Sequence, residues 1–471
     1  MRLRAKLLIG ATVASIAPHA WAAEMHPNLT TTVPALIALT AFAVAYLFVI
    51  AEEIIELRKS IPVVLAAGIV WVLVAIAAAQ HGNGELTAEV LKENLLEYGE
   101  LLLFLLAAMT YVNTLQERNV FAALRGYLIA RRLSLRAVFW ITGLMAFILS
   151  PCLDNLTTSL VMGAVVLAMG RGNAAFVVPA CINIVVAANA GGAFSPFGDI
   201  TTLMVWQKGA VAFFEFFSLF IPSLTNWLIP AACMSFAVPA GRPTAESEAI
   251  RVKPWGKTII ALFAATIIIT VAFYQVLHLP PFLGMMTGLG LLQVCGHFIR
   301  REEQEDGSLA TAALDIPPGL KRAEKPFDIF ISMKRVEWDT LIFFYGVILS
   351  VGGLGALGYL TLLSQASYDM LGPTSANVLV GVASAVIDNI PIMFAVLSID
   401  PQMSHGQWLL VTLTAGVGGS LLSIGSAAGV ALMGQARGVY TFFAHLKWTW
   451  AIALGYAASI WVHFLINASH F

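Results

Sequence analysis

Apolar runs long enough to cross a bilayer recur along the whole chain. They lie near 33–51, 61–79, 100–116, 137–169, 174–207, 211–238, 257–277, 281–299, 339–360, 373–400, 407–435 and 447–466. A run of about 18 or more apolar residues reads as a transmembrane helix, so the pattern predicts an all-α polytopic membrane protein. Two runs, 137–169 and 373–400, are interrupted midway by polar residues and proline. An unbroken helix over the first would be about 50 Å long, too long for one crossing. Each therefore reads as a re-entrant hairpin that enters and leaves by the same side. The runs 174–207 and 407–435 are interrupted by glycine and read as single crossings broken at mid-depth. The expected fold thus has two re-entrant hairpins and two broken transmembrane helices. At the N-terminus, Arg2, Arg4 and Lys6 precede an apolar stretch over 7–17 and then Ala20-Trp21-Ala22. This is the pattern of a secretory signal peptide over 1–22, with an N-terminal anchor as the alternative.

Charge orients the spans. With a cleaved signal the mature N-terminus lies outside, and the loops 52–60, 117–136, 170–173, 239–257, 300–336 and 436–447 become cytoplasmic. They hold 21 of the 26 Lys and Arg residues, and only Lys92 and Lys208 fall in outer loops. Basic residues collect on the cytoplasmic side in this way, and the hairpin reading is the one that keeps them there. Composition agrees: 59% of residues are hydrophobic and 11% charged, against about 25% charged in a soluble domain. A net charge of −1 with no basic patch excludes nucleic acid as a partner. The cysteines Cys152, Cys181, Cys233 and Cys295 sit in apolar segments without metal-ligand spacing. Residues 300–336 read as a cytoplasmic linker. Residues 118–135 read as a basic amphipathic helix on the inner surface.

Two parts of the chain resemble each other. Glu100-Leu101-Leu102-Leu103-Phe104 opens one span and Asp339-Thr340-Leu341-Ile342-Phe343 another. Leu153-Asp154-Asn155-Leu156 matches Ile387-Asp388-Asn389-Ile390, and the glycine-led stretch 191–198 matches 418–425. The charge-derived topology runs the two copies in opposite directions. Inverted repeats with discontinuous helices meeting near the bilayer midplane are the signature of a secondary transporter. Freed backbone groups at membrane depth are tolerated only when buried in protein or lining a wet cavity. The division expected is N-terminal scaffold helices over 33–99, a first inverted repeat over 100–238, connecting helices over 239–299, the linker, and a second inverted repeat over 337–471.

An acidic side chain inside the membrane costs roughly 2.5–3.5 kcal/mol on insertion scales, so each one here asks for a reason. Asp154 and Asp199 fall at breaks, with Asn155, Thr157, Asn189, Thr201 and Thr202 around them. These are the candidate cation- and proton-binding residues, with Na+ placed at Asp154 and Asp199. Ser384, Asp388, Asn389, Ser423 and Ser426 form the matching set in the second repeat, as a further site or gate. Ser150, Glu100 and Asp339 are accessory candidates. Hard cations take carboxylate, amide and hydroxyl oxygens of this kind. A desolvated carboxylate also releases its proton nearer neutral pH, so a proton and a cation can compete for the same oxygens. His81 and His445 read as solvated at the membrane interfaces.

The stretches 150–158 (SPCLDNLTT) and 189–202 (NAGGAFSPFGDITT) resemble NhaD-type sodium/proton antiporters of the ion-transporter superfamily. The family's polar positions map onto Ser150, Asp154, Asn155, Thr157, Asn189, Asp199, Thr201 and Thr202. In the second half they map onto Asp339, Ser384, Asp388, Asn389, Ser423 and Ser426. The resemblance implies exchange of Na+ or Li+ for H+ across the bacterial cytoplasmic membrane, without a cofactor and without enzymatic chemistry. It also implies a homodimer embedded in membrane lipid, with a moving region over 137–207 and 373–435. Two alternatives stand beside it. One is an oxyanion or carboxylate permease of the same superfamily, with or without sodium coupling. The other is an intramembrane aspartyl protease, which the missing first glycine of a Gly-x-Gly-Asp motif before Asp199 disfavours.

Overall fold

The computed structural model describes residues 29–82, 84–131, 133–170, 173–242, 250–313 and 327–471. The signal segment 1–22 and the 314–326 part of the linker lie outside the described residues. Helices α1 (Val33–Ile50), α2 (Glu52–Ile55), α3 (Ser60–Gln80), α4 (Gly84–Glu117) and α5 (Val120–Ala130) come first. Next are α6 (Leu135–Leu153), α7 (Asn155–Met169), α8 (Ala174–Gly192), α9 (Ile200–Gln207) and α10 (Phe220–Ser235). They are followed by α11 (Gly256–Leu277), α12 (Pro281–Ala313), α13 (Ile329–Lys334), α14 (Trp338–Ala356) and α15 (Tyr359–Ser364). The chain ends with α16 (Met370–Ala383), α17 (Asn389–Ile399), α18 (His405–Gly418), α19 (Ala427–Gln435), α20 (Phe442–Leu446) and α21 (Thr449–Ile466). Among the described residues there is no strand, and ten helical stretches are long and apolar enough to cross a membrane. Helices α4 and α12 run further than the apolar pattern alone predicts, α12 carrying helix well into the expected linker.

Large apolar side chains such as Leu47, Leu65, Ile268 and Trp461 are exposed on α1, α3, α11 and α21. In water they would be a liability, whereas in lipid they contact a medium as apolar as themselves. Burial is therefore read best from where small and polar residues go. Residues 179–196, at the end of α8 and just beyond it, are buried without exception, so α8 is a helix enclosed on all sides. Its buried Asn183 is paired at both ends: its amide donates to the Phe139 carbonyl at 2.7 Å and accepts from Trp227 Nε1 at 2.8 Å. Helices α6, α7 and α10 pack on α8, α19 packs on α7, and α16 packs on α18. A second group joins α1, α3 and α14, with α4 and the α11–α12 pair beside it.

Four interruptions position the site. Between α6 and α7 stands the single residue Asp154, at φ +65°, a region sparsely populated by residues with a Cβ. Residues 193–199 separate α8 from α9, 384–388 separate α16 from α17, and 419–426 separate α18 from α19. Each break ends on a residue whose side chain caps the helix that follows: Asp154, Asp199, Asp388 and Ser426. An N-cap oxygen satisfies an orphan backbone N–H, and the helix dipole favours a negative charge there. This is how three carboxylates are held inside the protein.

Candidate ion-binding site

The centre of the arrangement is Asp199, 5% exposed. Its Oδ1 accepts from the Thr201 backbone N–H at 3.2 Å. Its Oδ2 accepts from the Asn389 amide at 3.0 Å and from the Asn155 amide at 3.5 Å. Asn155 and Asn389 each directly follow a capping aspartate, Asp154 and Asp388, so the starts of α7 and α17 converge on the cap of α9. Asn155 Nδ2 also donates to Asn189 Oδ1 at 3.1 Å. Asn189 in turn donates to the Ser420 hydroxyl at 2.8 Å and the Ser426 hydroxyl at 3.0 Å. One hydrogen-bonded network thus reaches all four breaks.

Asp154 is bound differently. Its Oδ1 accepts from the Thr157 backbone N–H at 2.7 Å and its Oδ2 from the Thr157 hydroxyl at 2.9 Å. Asp388 stands in the corresponding cap, but Pro391 occupies the place of Thr157 and offers neither donor. Asp388 instead accepts weakly from the Ile390 N–H at 3.5 Å and faces Lys59 Nζ at 3.8 Å. All three aspartates line one cavity of about 410 Å³, together with Asn155, Thr157 and Asn389. They do not converge on a point: among the described residues no three His, Cys, Asp or Glu side chains are grouped so as to hold one metal ion. The hydroxyls of Thr201 and Ser423 are buried and have no hydrogen-bond partner among the described residues.

The loops around these groups are tightly built. A Cβ on Gly192 would lie 2.7 Å from the Gly198 carbonyl oxygen, and one on Gly419 would lie 2.6 Å from that of Gly425. In both of these breaks, then, the chain folds back on itself where only glycine fits.

Comparison with known proteins shows the family. The CitMHS family, described as "Citrate transporter", matches residues 20–416. The Vibrio cholerae protein named Na(+)/H(+) antiporter NhaD is 55% identical over 92% of this chain and 92% of its own length. The chain belongs to the NhaD-type antiporter family. Its similarity to the Alkalimonas amylolytica NhaD is 54% identity over 94% of this chain and 93% of that protein. Sodium/proton antiporter 1 of Arabidopsis thaliana is 30% identical over 91% of this chain and 72% of its own length.

In this NhaD-type chain not every candidate joins the network. Ser150 donates to the Ala188 carbonyl at 2.6 Å, and Ser384 donates to the Ala415 carbonyl at 3.0 Å. Both are clamps between neighbouring helices, α6 to α8 and α16 to α18. Thr202 donates to the Ser195 and Asp199 carbonyls, each at 2.7 Å, and closes the 193–199 loop. Asp339 accepts from the Ser60 hydroxyl at 2.5 Å and ties α14 to α3. Glu100 lines a separate cavity of about 250 Å³ with Glu93, Glu97 and Lys208, where Lys208 and Glu97 pair at 2.7 Å. His445, expected at a wet interface, is fully buried, lying 2.9 Å from the Ser420 carbonyl and 2.8 Å from the Tyr440 hydroxyl. Burial holds its imidazole down at about 4, against partial recovery from its bonds to the Ser420 and Leu421 backbone.

The sequence reading passed over Lys59, Arg335, Glu337 and Ser420. The first three line the aspartate cavity. Burial pushes the Glu337 carboxyl up, with the Thr340 hydroxyl and Lys59 pulling it back. Ser420 had a signal available, since it is a hydroxyl directly after the Gly418-Gly419 pair, at the place that Ala193 holds after Gly191-Gly192.

Proposed function

We propose that this protein exchanges Na+ or Li+ for H+ across the bacterial cytoplasmic membrane, with the two ions competing for Asp199 and its neighbours. One observation carries the reading: a buried carboxylate at a helix break is approached by Asn155 and Asn389 from two other breaks, on the wall of an accessible cavity. A carboxylate surrounded by amides and hydroxyls can take either occupant. An amide that turns over presents its oxygen to a cation, and the unpartnered hydroxyls of Thr201 and Ser423 supply further oxygens of the type hard cations prefer. Asp154 and Thr157 stand on the same wall as the neighbouring part of the site.

Transport then follows an inverted-repeat scheme. The matched clamps of Ser150 and Ser384, and the matched glycine crossings, support a common origin for the 100–238 and 337–471 repeats. The pairs α6–α7 and α16–α17 are read as hairpins whose tips meet at Asp199. The packing of α7 against α19 supports treating 137–207 and 373–435 as one moving body. Lys59 and Arg335 lie in loops that the charge bias assigns to the cytoplasm, so the cavity they line is read as open inward. The resemblance adds a homodimer to this scheme.

A second reading has an observation of its own. Lys59 and Arg335 line the cavity, and cations there would suit a carboxylate or oxyanion cargo. The same wall carries Asp154, Asp199, Glu337 and Asp388, so acidic groups outnumber basic ones by two and a cation is the better guest. The test is proton movement in everted vesicles, read by fluorescence dequenching on addition of Na+, Li+ or K+, beside uptake of radiolabelled citrate. Sodium- and lithium-driven proton release that is lost in Asp199→Asn is the expected result. Citrate uptake without it would overturn the reading.

A further inference from the structure

Lys59 is the residue that this reading leaves without a task. It immediately precedes α3, whose Ser60 is bonded to Asp339 at the start of α14, and its ammonium sits 4.7 Å from the centre of the Phe343 ring. It is thus anchored on the α3–α14 unit. From there Nζ reaches across to Asp388 at 3.8 Å, on the cap of α17, with both side chains 18% exposed. The matching aspartate of the first repeat needs no such partner, because Thr157 donates to both its oxygens. Asp388 has Pro391 in that place and has the long Ile390 contact instead.

We propose that Lys59 is a specificity-determining residue: a tethered cation that occupies Asp388 and so withdraws it from the ion-binding set. The transported cation is thereby confined to Asp199 and its neighbours. The physical reason is charge accounting within one cavity. An unpaired Asp388 would add its attraction for Na+ to that of Asp199 across the same space, whereas an ammonium beside it cancels that attraction. The inference rests on the cation-exchange reading and deepens it.

The experiment is binding of radiolabelled Na+ to the purified full-length protein in detergent. Lys59→Gln is expected to bind Na+ roughly three- to tenfold more tightly, the scale of one uncompensated charge in a partly wet site. Lys59→Arg, which keeps the charge, is expected to stay within about twofold of the parent. Asp388→Asn, which strands the lysine, is expected to weaken binding roughly threefold or more. The double variant Lys59→Gln with Asp388→Asn leaves no stranded charge and returns affinity to about that of the parent. That return separates pairing from a merely structural role, which no second substitution would restore. The proposal is overturned if Lys59→Gln leaves affinity unchanged. It is equally overturned if the double variant binds as weakly as Asp388→Asn alone, because Asp388 would then be a direct ligand. Should the parent bind no Na+ at all, it is the exchange reading that fails.

Discussion

The pair of breaks at Asp154 and Asp199 and the pair at Asp388 and Ser426 are built alike but equipped differently. Both use a serine clamp to a neighbouring helix carbonyl, and both close a loop over a glycine pair. The first then places a carboxylate at each cap and an asparagine, Asn189, behind them. The second has Asp388 at one cap, Ser426 at the other, and Gly416 where Asn189 would stand. Gly416 sits close against the first loop: a Cβ there would lie 3.2 Å from Ala193 Cβ and 3.9 Å from Asp199 Oδ2. The lesson is a division of labour. The first pair places two carboxylates, and the second sends Asn389 to Asp199 and the Ser420 and Ser426 hydroxyls to Asn189 behind it.

The sharpest way to break that comparison is to substitute the two equivalent caps in turn. Asp199→Asn should cost cation-driven proton release in everted vesicles roughly two orders of magnitude or more, what about 3 kcal/mol of lost charge interaction implies. Ser426→Ala should cost less than about tenfold, the scale of one neutral hydrogen bond. Equal losses would mean that the two halves share the cargo.

A second test uses pH. His445 supports the second break through Ser420, and its folded value of about 4 lies below the ordinary 6.5. A depressed value means that the unfolded chain takes up the proton first. The stabilisation is present above 6.5 and drains away as pH falls towards 4, by on the order of 3 kcal/mol. Thermal unfolding of His445→Gln should therefore show a flatter loss of stability over that acid range than the parent.

Smaller effects distinguish the remaining pairs. Thr157→Val removes the hydroxyl from Asp154 and should slow exchange roughly tenfold, as the loss of a bond to a charged group does, while Pro391→Thr should leave the rate near that of the parent. Ser150→Ala and Ser384→Ala should each lower stability by about 1 kcal/mol. A large inequality between them, measured by thermal unfolding, would show that the two clamps are not equivalent.

Much of this was legible in the sequence because it is local. Proline, glycine and a polar residue inside an apolar run mark a break, and the break residues proved to be helix caps. Asn155, Asn389, Asn189 and Ser426 were named from the same pattern and meet at or beside Asp199. What escaped is long-range or depends on helix rotation. Asp339 looked like the partner of Glu100, yet it turns to Ser60 while Glu337, just before α14, faces the cavity. A helix advances about 100° per residue, so a difference of two positions decides between opposite sides. The pairing of Lys59 with Asp388 joins residues more than 300 positions apart and leaves no periodic trace. His445 was misjudged because its neighbours in sequence read as a loop, whereas its neighbours in space are Ser420 and Tyr440.

The glycine crossings have a consequence for heredity. At 192 and 419 the smallest possible addition, a single methyl, would meet main chain that has nowhere to retreat. A library randomising these two codons should return one amino acid from survivors. Descendants of this sequence are free to vary the side chains around the two loops but not the points at which the loops turn.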